Sequence, residues 1–377
     1  MIKRLKRFWL RMTNGMAIGD LWKQIQADAR LSYRLFSQEV DTQRKPGTGR
    51  VRHFFHMVRL FFWAIVDKLT PARRLLLVAA LVMMAMNVNI RWNSGGPHQS
   101  AQFYIGPISV GTWGELLLLT VLVLEITDRV VMKRDLQIAK EIQGWLLPPA
   151  PPAVPGLQIA FATRPANTVA GDYYDVFPRP GPNLPGGTYL IAIADVAGKS
   201  IPAAMLMATY QASLRTLAAT PGTLTDLVSS MNNYACGNSQ GGRRFTTTVL
   251  AEYDPASRRL TYVNAGHNPP MLLRKNGNIE RLTQGGLPLG IVEGTPYASD
   301  STTIQAGDWL AIFTDGVTEA ENTAAQEFGE ARLMAALSIN TAATPQVLLN
   351  GIMMDIDRFA AGMPQHDDIT LMLLKAG

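Results

Sequence analysis

The first long apolar run of this 377-residue chain extends from Leu75 to Ile90. It carries no charge and is flanked by Arg73, Arg74 and Arg91. A second apolar block, Ile105 to Leu124, contains Glu115 and is followed by Glu125. The pair predicts a two-helix transmembrane hairpin over residues 75–127, although the first run is shorter than the roughly 20 residues of a typical span. Met132, Leu136, Ala139, Ile142 and Leu146 then recur at spacings of three and four, which predicts a linker helix over 128–147. Pro148 to Pro155, with five prolines in eight residues, stops that helix.

Beyond the proline run the pattern changes to short apolar stretches joined by turns. The expected strands are Leu157–Thr163, Tyr173–Phe177, Tyr189–Ala194, Thr246–Tyr253, Arg259–Asn264, Met271–Arg274, Trp309–Phe313 and Ile369–Leu374. The expected helices are Ala203–Ala219, Thr223–Cys236, Glu330–Ser338 and Pro345–Ala361. Asn276-Gly277 marks a hairpin turn between Met271–Arg274 and Ile279–Leu282. Short strands joined by turns imply mainly antiparallel pairing, and the layered outcome is an α/β (α+β) domain over 148–377, two sheets flanked by helices.

Charge divides the chain. Residues 1–74 hold 16 Lys and Arg against 5 Asp and Glu, a net +11, and the remainder is net −5. The opening Met1-Ile-Lys-Arg-Leu-Lys-Arg-Phe-Trp-Leu-Arg11 suits either nucleic acid or an anionic membrane surface. The apolar blocks that follow favour the membrane, and nucleic acid is not expected as a partner. The loop between the blocks has a single Arg, whereas Lys and Arg dominate before the first block and Arg129, Lys133 and Arg134 follow the second, so both ends are expected in the cytoplasm, at the inner membrane. The alternative is a helical sensor module whose two apolar helices are buried in its core. His53 and His56 flank Phe54-Phe55, and Leu60 to Trp63 follows, an expected interfacial stretch. The single cysteine, Cys236, excludes an intramolecular disulfide framework.

The candidate chemistry lies in carboxylates. Asp195 ends the apolar run Tyr189–Ala194 and is followed by a small-residue turn and Pro202. This setting suits either a hard cation or a helix cap. Three further carboxylates occupy similar settings: Asp172 in Gly171-Asp-Tyr-Tyr-Asp175, Asp315 in Thr314-Asp-Gly316, and Asp367 in His366-Asp-Asp-Ile-Thr370. Four separated carboxylates without a Cys or His cluster favour Mg²⁺ or Mn²⁺ over Zn²⁺.

Six motifs in order carry a family resemblance: Ala170-Gly-Asp-Tyr-Tyr-Asp175, Asp195-Val-Ala-Gly-Lys199, Asn264-Ala-Gly-His-Asn-Pro-Pro270, Gly286-Leu-Pro-Leu-Gly290, Thr314-Asp-Gly-Val-Thr-Glu319 and Asp367-Asp-Ile-Thr370. Together they resemble the bacterial PPM-type (protein phosphatase 2C-like) serine/threonine phosphatases of the SpoIIE-like group, over roughly Leu146 to Gly377. The resemblance implies an α/β/β/α sandwich with two Mn²⁺ or Mg²⁺ ions between the sheets. It assigns Asp195 as the bridging ligand, the Val196 carbonyl to one ion, and Asp172, Asp315 and Asp367 to complete the set. Asp175 and Asp368 take auxiliary roles.

The resemblance further implies a phosphorylated protein substrate, an anti-sigma-factor antagonist in partner switching. It also implies signalling through the 128–147 helix, a candidate homodimer contact. The alternative from another class is a pseudophosphatase, a membrane-bound sensor scaffold that binds its partner without turnover. His267 reads as turn architecture or as a loop near the substrate; Arg164 and Lys199 are candidate phosphate contacts beside plainer structural roles. Ala170, Ala197 and Ser200 depart from the family pattern, which usually has Gly, Ser or Thr, and Gly at these places. Ser200 leaves the conformation at the head of helix 203–219 open.

Overall fold

Alternate residues of strand β3 (Thr188–Val196) point into different cores. Ile191 and Ile193 face one, while Leu190, Ala192 and Ala194 face another. A strand with both faces apolar must be covered on both sides, and the architecture of this computed structural model follows from that requirement. The structure describes residues 66, 69–93, 110–180, 187–239, 242, 244–339 and 342–377. The expected basic opening, His53, His56 and most of the connection between the two apolar blocks lie outside them.

Among the described residues two units form, Met1–Arg129 and Val130–Gly377. In the first, helix α1 (Pro71–Asn93) meets the start of helix α2 (Val110–Leu146) at Gly114. A methyl group there would fall 2.7 Å from the Ala80 carbonyl oxygen. Arg73 on α1 pairs with Glu125 at 3.2 Å and Asp128 at 2.6 Å.

Helix α2 bears on two expectations. From Val110 the second apolar block runs without a break into the expected 128–147 helix, which extends to Leu146, and the two form one 37-residue helix. The two-span hairpin is not supported: among the described residues no helix is long and apolar enough to cross a membrane. Glu115 and Glu125 interrupt the apolar stretch of α2. Leu75, Val78, Leu116, Leu119 and Leu122 are nonetheless exposed.

The second unit contains two sheets. One has the order β1-β11-β10-β6-β7, built from β1 (Leu157–Arg164), β6 (Met271–Leu273), β7 (Ile279–Arg281), β10 (Trp309–Phe313) and β11 (Ile369–Ala376). The other has the order β2-β3-β4-β5-β8, built from β2 (Tyr173–Arg179), β3, β4 (Thr246–Asp254), β5 (Arg259–Ala265) and β8 (Gly285–Gly286), with β9 (Asp300–Thr303) also on β5. All pairings are antiparallel except the short β5–β8 ladder. Pro178 lies in β2, an edge strand, the place in a sheet where proline is tolerated.

Between the sheets, Tyr174, Val176, Ile191 and Ile193 share a core with Leu310, Ile312, Met372 and Leu374. Helices α3 (Ser200–Ala218) and α4 (Leu224–Asn238) cover the outer face of one sheet through Met207, Leu214, Leu227 and Met231. After the one-turn α5 (Asp315–Thr318), helices α6 (Gly329–Ile339) and α7 (Pro345–Ala360) cover the other through Leu333, Leu349, Ile352 and Ile356. The layers are therefore helix, sheet, sheet, helix. The eight expected strands and four expected helices of this unit form within a few residues of their expected bounds.

Candidate active site

Strand ends bring the carboxylates together. Asp195, at the end of β3, lies opposite Thr247 of β4. Phe313 ends β10; Thr314 follows, and Asp315 opens α5. Asp367 immediately precedes the turn into β11, and its Oδ1 accepts the Asp368 amide at 2.9 Å. Gly316 lets these last two segments touch, because a methyl group there would lie 2.1 Å from the Asp368 carbonyl oxygen.

Asp195, Val196, Lys199, Thr247, His267, Asp315 and Asp367 line one cleft of about 390 Å³. The Lys199 ammonium lies 3.4 Å from Asp367 and donates to the His366 carbonyl at 2.8 Å. Asp172 does not line this cleft. It sits behind it, 1% exposed, accepting a 2.9 Å hydrogen bond from the Thr314 hydroxyl.

The charges repel one another. Burial, then the charges of Asp315, Asp367 and Asp368, push the Asp195 carboxyl up to about 7, against an opposing pull from Lys199. Burial and the Asp367 charge raise Asp315. Asp172 is raised well above the usual carboxylate range by burial and the charge of Asp195. Among the described residues, no group of three or more His, Cys, Asp or Glu side chains stands ready-made to hold an ion. The donor chemistry nevertheless suits a divalent ion: hard carboxylate oxygens, mutually repelling, with a single lysine as local counter-charge.

The remaining motif residues have structural work. Asp368 is buried, and its two oxygens accept the amides of Ala166 at 2.7 Å and Gly171 at 2.6 Å. Asp175 faces away from the cleft into the α3 layer, where its Oδ2 accepts from the Tyr173 hydroxyl at 2.6 Å and from Arg215. Asn264 brackets His267, donating to its carbonyl at 3.0 Å and accepting its amide at 2.8 Å. His267 is therefore turn architecture that also lines the cleft, its Nδ1 2.9 Å from the Thr247 hydroxyl. Burial lowers it to about 4, so the ring is neutral at pH 7. Arg164 is tied to Asp357 at 2.5 Å and Gln365 at 2.9 Å, the plainer of its two readings.

Sequence reasoning missed three contributors. Thr314 opens the Thr314-Asp-Gly-Val-Thr-Glu319 motif, and its hydroxyl is the signal the sequence offers. Thr247 gave none, being one of three consecutive threonines. Gln143, which bonds to Ala170, interrupts an apolar helix stripe, so periodicity gives no sign of its role.

The family described as Stage II sporulation protein E (SpoIIE) matches residues 185–377. The chain belongs to this family. Protein IcfG of Synechocystis sp. (strain ATCC 27184 / PCC 6803 / Kazusa) is 30% identical over 283 residues, covering 67% of this chain and 43% of that protein. Phosphoserine phosphatase RsbU of Bacillus subtilis (strain 168) is 31% identical over 189 residues, covering 50% of this chain and 54% of that protein. This SpoIIE-family chain thus spans about half the length, or less, of these relatives. Its fold is similar to that of the SiaA-PP2C domain of Pseudomonas aeruginosa, with a TM-score of 0.56, 16% identity, and coverage of 66% of this chain and 99% of that one.

Proposed function

We propose that the protein is a metal-dependent serine/threonine phosphoprotein phosphatase. The observation that carries this reading is the convergence of Asp195, Asp315 and Asp367 on one cleft, with Asp172 directly behind. Asp195, the Val196 carbonyl, Asp172, Asp315 and Asp367 are the groups that would hold two Mn²⁺ or Mg²⁺ ions. Such ions supply charge compensation for the phosphoryl oxygens and acidify a water for attack at neutral pH.

The chain's own groups do the rest. Thr314 fixes the rotamer of Asp172 through its hydroxyl, and Thr370 fixes Thr314 by donating its amide to that oxygen at 3.0 Å. Lys199 places a positive charge at the cleft, where a phosphoryl group is attracted. His267 lines the cleft but is neutral at pH 7, a poor proton donor, and water, ion-bound or bulk, would protonate the leaving serine or threonine oxygen.

Likeness to relatives named phosphoserine phosphatases supports phosphoserine or phosphothreonine on a regulatory protein as the substrate class, and the substrate proposed within it is an anti-sigma-factor antagonist of a partner-switching pathway. The test uses the full chain with a phosphoserine protein and Mn²⁺ or Mg²⁺. Phosphate release is expected, lost in Asp195→Ala and Asp315→Ala. A wild-type chain that binds the phosphoprotein but releases nothing with either ion is the scaffold, not the enzyme.

Attachment to the inner membrane, with the phosphatase domain in the cytoplasm, is a separate proposal. It now rests on surface binding by the basic residues 1–74 and the exposed leucines of α1 and α2, not on a span. Sedimentation with anionic vesicles tests it. Dimerisation through residues 128–147 is proposed because Val130, Val131, Met132, Ile138 and Ile142 are exposed, and sedimentation equilibrium decides it.

A further inference from the structure

Gln143, in the last turn of α2, is 7% exposed and spends its whole carboxamide on one residue. Its Nε2 donates to the Ala170 carbonyl at 2.7 Å, and its Oε1 accepts the Ala170 amide at 2.9 Å. A carboxamide is among the few side chains that present a donor and an acceptor side by side, so it pairs with a backbone N–H and C=O as a neighbouring strand would.

The segment it holds leads directly to Asp172. Asp368 grips the same segment from the other side through the Ala166 and Gly171 amides. Gly171 itself is pressed against the cleft: a methyl group there would lie 3.1 Å from the Val196 carbonyl oxygen and 3.3 Å from Ala203 at the head of α3. Residues 166–172 are thus pinned between a carboxylate beside the cleft and an amide on the helix that enters the domain.

The helix face is equally specific. Along this face Leu136, Ala139 and Leu146 are half-buried and Gln143 is buried, while Met132 and Ile142 are exposed. One polar residue in an otherwise apolar stripe fixes register, because any other seating leaves a buried donor and acceptor unpaired. A turn of about 100° or a slide of one helical turn would carry the amide away from Ala170.

We infer that Gln143 is a positioning residue for the ion site: it couples the seating of α2 to the placement of Asp172. The coupling to ions rests on the reading of Asp172 as a ligand. The placement of the segment does not.

The experiment compares full-length wild type, Gln143→Ala, Gln143→Glu and the exposed-face control Glu141→Ala. Gln143→Glu keeps the acceptor for the Ala170 amide and loses the donor. Backbone hydrogen exchange across residues 166–175 and Mn²⁺ affinity by calorimetry are measured beside the thermal midpoint. Gln143→Ala is expected to speed exchange in this segment by about tenfold or more. Mn²⁺ binding should weaken by about tenfold to a hundredfold, the usual cost of losing a group that orients a ligand. Exchange in β11 and both readouts in Glu141→Ala should stay at wild-type values.

A folded Gln143→Ala with unchanged exchange overturns the inference. Faster exchange with unchanged Mn²⁺ affinity overturns the tie to the ion site. If Gln143→Ala does not fold, Gln143→Glu decides by the same criteria. If wild type binds no Mn²⁺, the phosphatase reading fails, and exchange still decides whether Gln143 places the segment.

Discussion

The Thr314 hydroxyl donates to Asp172 at 2.9 Å and simultaneously accepts the Thr370 amide at 3.0 Å, so one oxygen links three segments. Replacing Thr314 by valine keeps the shape and removes both bonds. A buried hydrogen bond contributes roughly 0.5–1.5 kcal/mol, and a buried partner left unpaired costs about 1–3 kcal/mol. The expected result is a lower denaturant midpoint and an activating Mn²⁺ concentration raised about tenfold or more. Titration of phosphatase activity against Mn²⁺ checks the second, and urea unfolding the first.

Asp195 gives a pH signature in chelated protein. Its carboxyl is raised to about 7, against an unfolded value near 3.8. Between those values the folded state holds the proton more tightly than the unfolded chain, so this group's contribution to stability falls as pH rises from about 4 to 7. Asp195→Asn removes that loss. The variant should match wild type near pH 4 and exceed it by about 1–3 kcal/mol at pH 7, with Mn²⁺ reversing the order. Thermal midpoints in EDTA at the two pH values decide it, and a constant difference would refute the assignment.

Asp175 is 0% exposed, and its Oδ2 takes the Tyr173 hydroxyl and the Arg215 guanidinium, which also stacks 3.9 Å over the Phe177 ring. Arg215→Ala strands a buried carboxylate. A loss of about 1–3 kcal/mol is expected by urea unfolding, less than for a fully buried pair because Arg215 is 44% exposed. In whatever fraction remains folded, the activating Mn²⁺ concentration should stay near wild type, because the pair lies in the α3 layer and not in the cleft.

Ser200 has φ +62°, the left-handed region that L-residues enter at a cost of about 1–2 kcal/mol. Glycine bears no such cost but loses more chain entropy on folding. Ser200→Gly is therefore expected to stabilise the protein by up to about 1 kcal/mol, read as a higher thermal midpoint.

Ser200 also shows where sequence reasoning worked and where it stopped. The family turn takes glycine there, and the side chain's presence flagged an open conformation; the positive φ supplies the physical reason. Strands such as β3 and β10 were legible because apolar runs bounded by Gly or Asp leave few alternatives. Asp195, Asp315 and Asp367 were legible as strand-end carboxylates. That Asp172 sits behind the cleft was not, because it depends on a hydroxyl 142 residues away in sequence. The α2 helix misled in two ways: its exposed residues share the spacing of its half-buried face, and its apolar content suggested a span where acidic residues intervene. The half-buried face runs through Gln143, which periodicity alone assigns to the wrong class.

Among the described residues strand β11 is the eleventh and last in chain order but the second in its sheet, bonded to β1 on one side and β10 on the other. On the ribosome, every earlier strand of that sheet emerges before the one that joins them. Until β11 arrives, the β1 and β10 edges stay open, and Asp367 is missing from the cleft. A nascent chain therefore acquires its carboxylate cluster only when this sheet closes, which delays any ion uptake until synthesis of the domain is nearly complete.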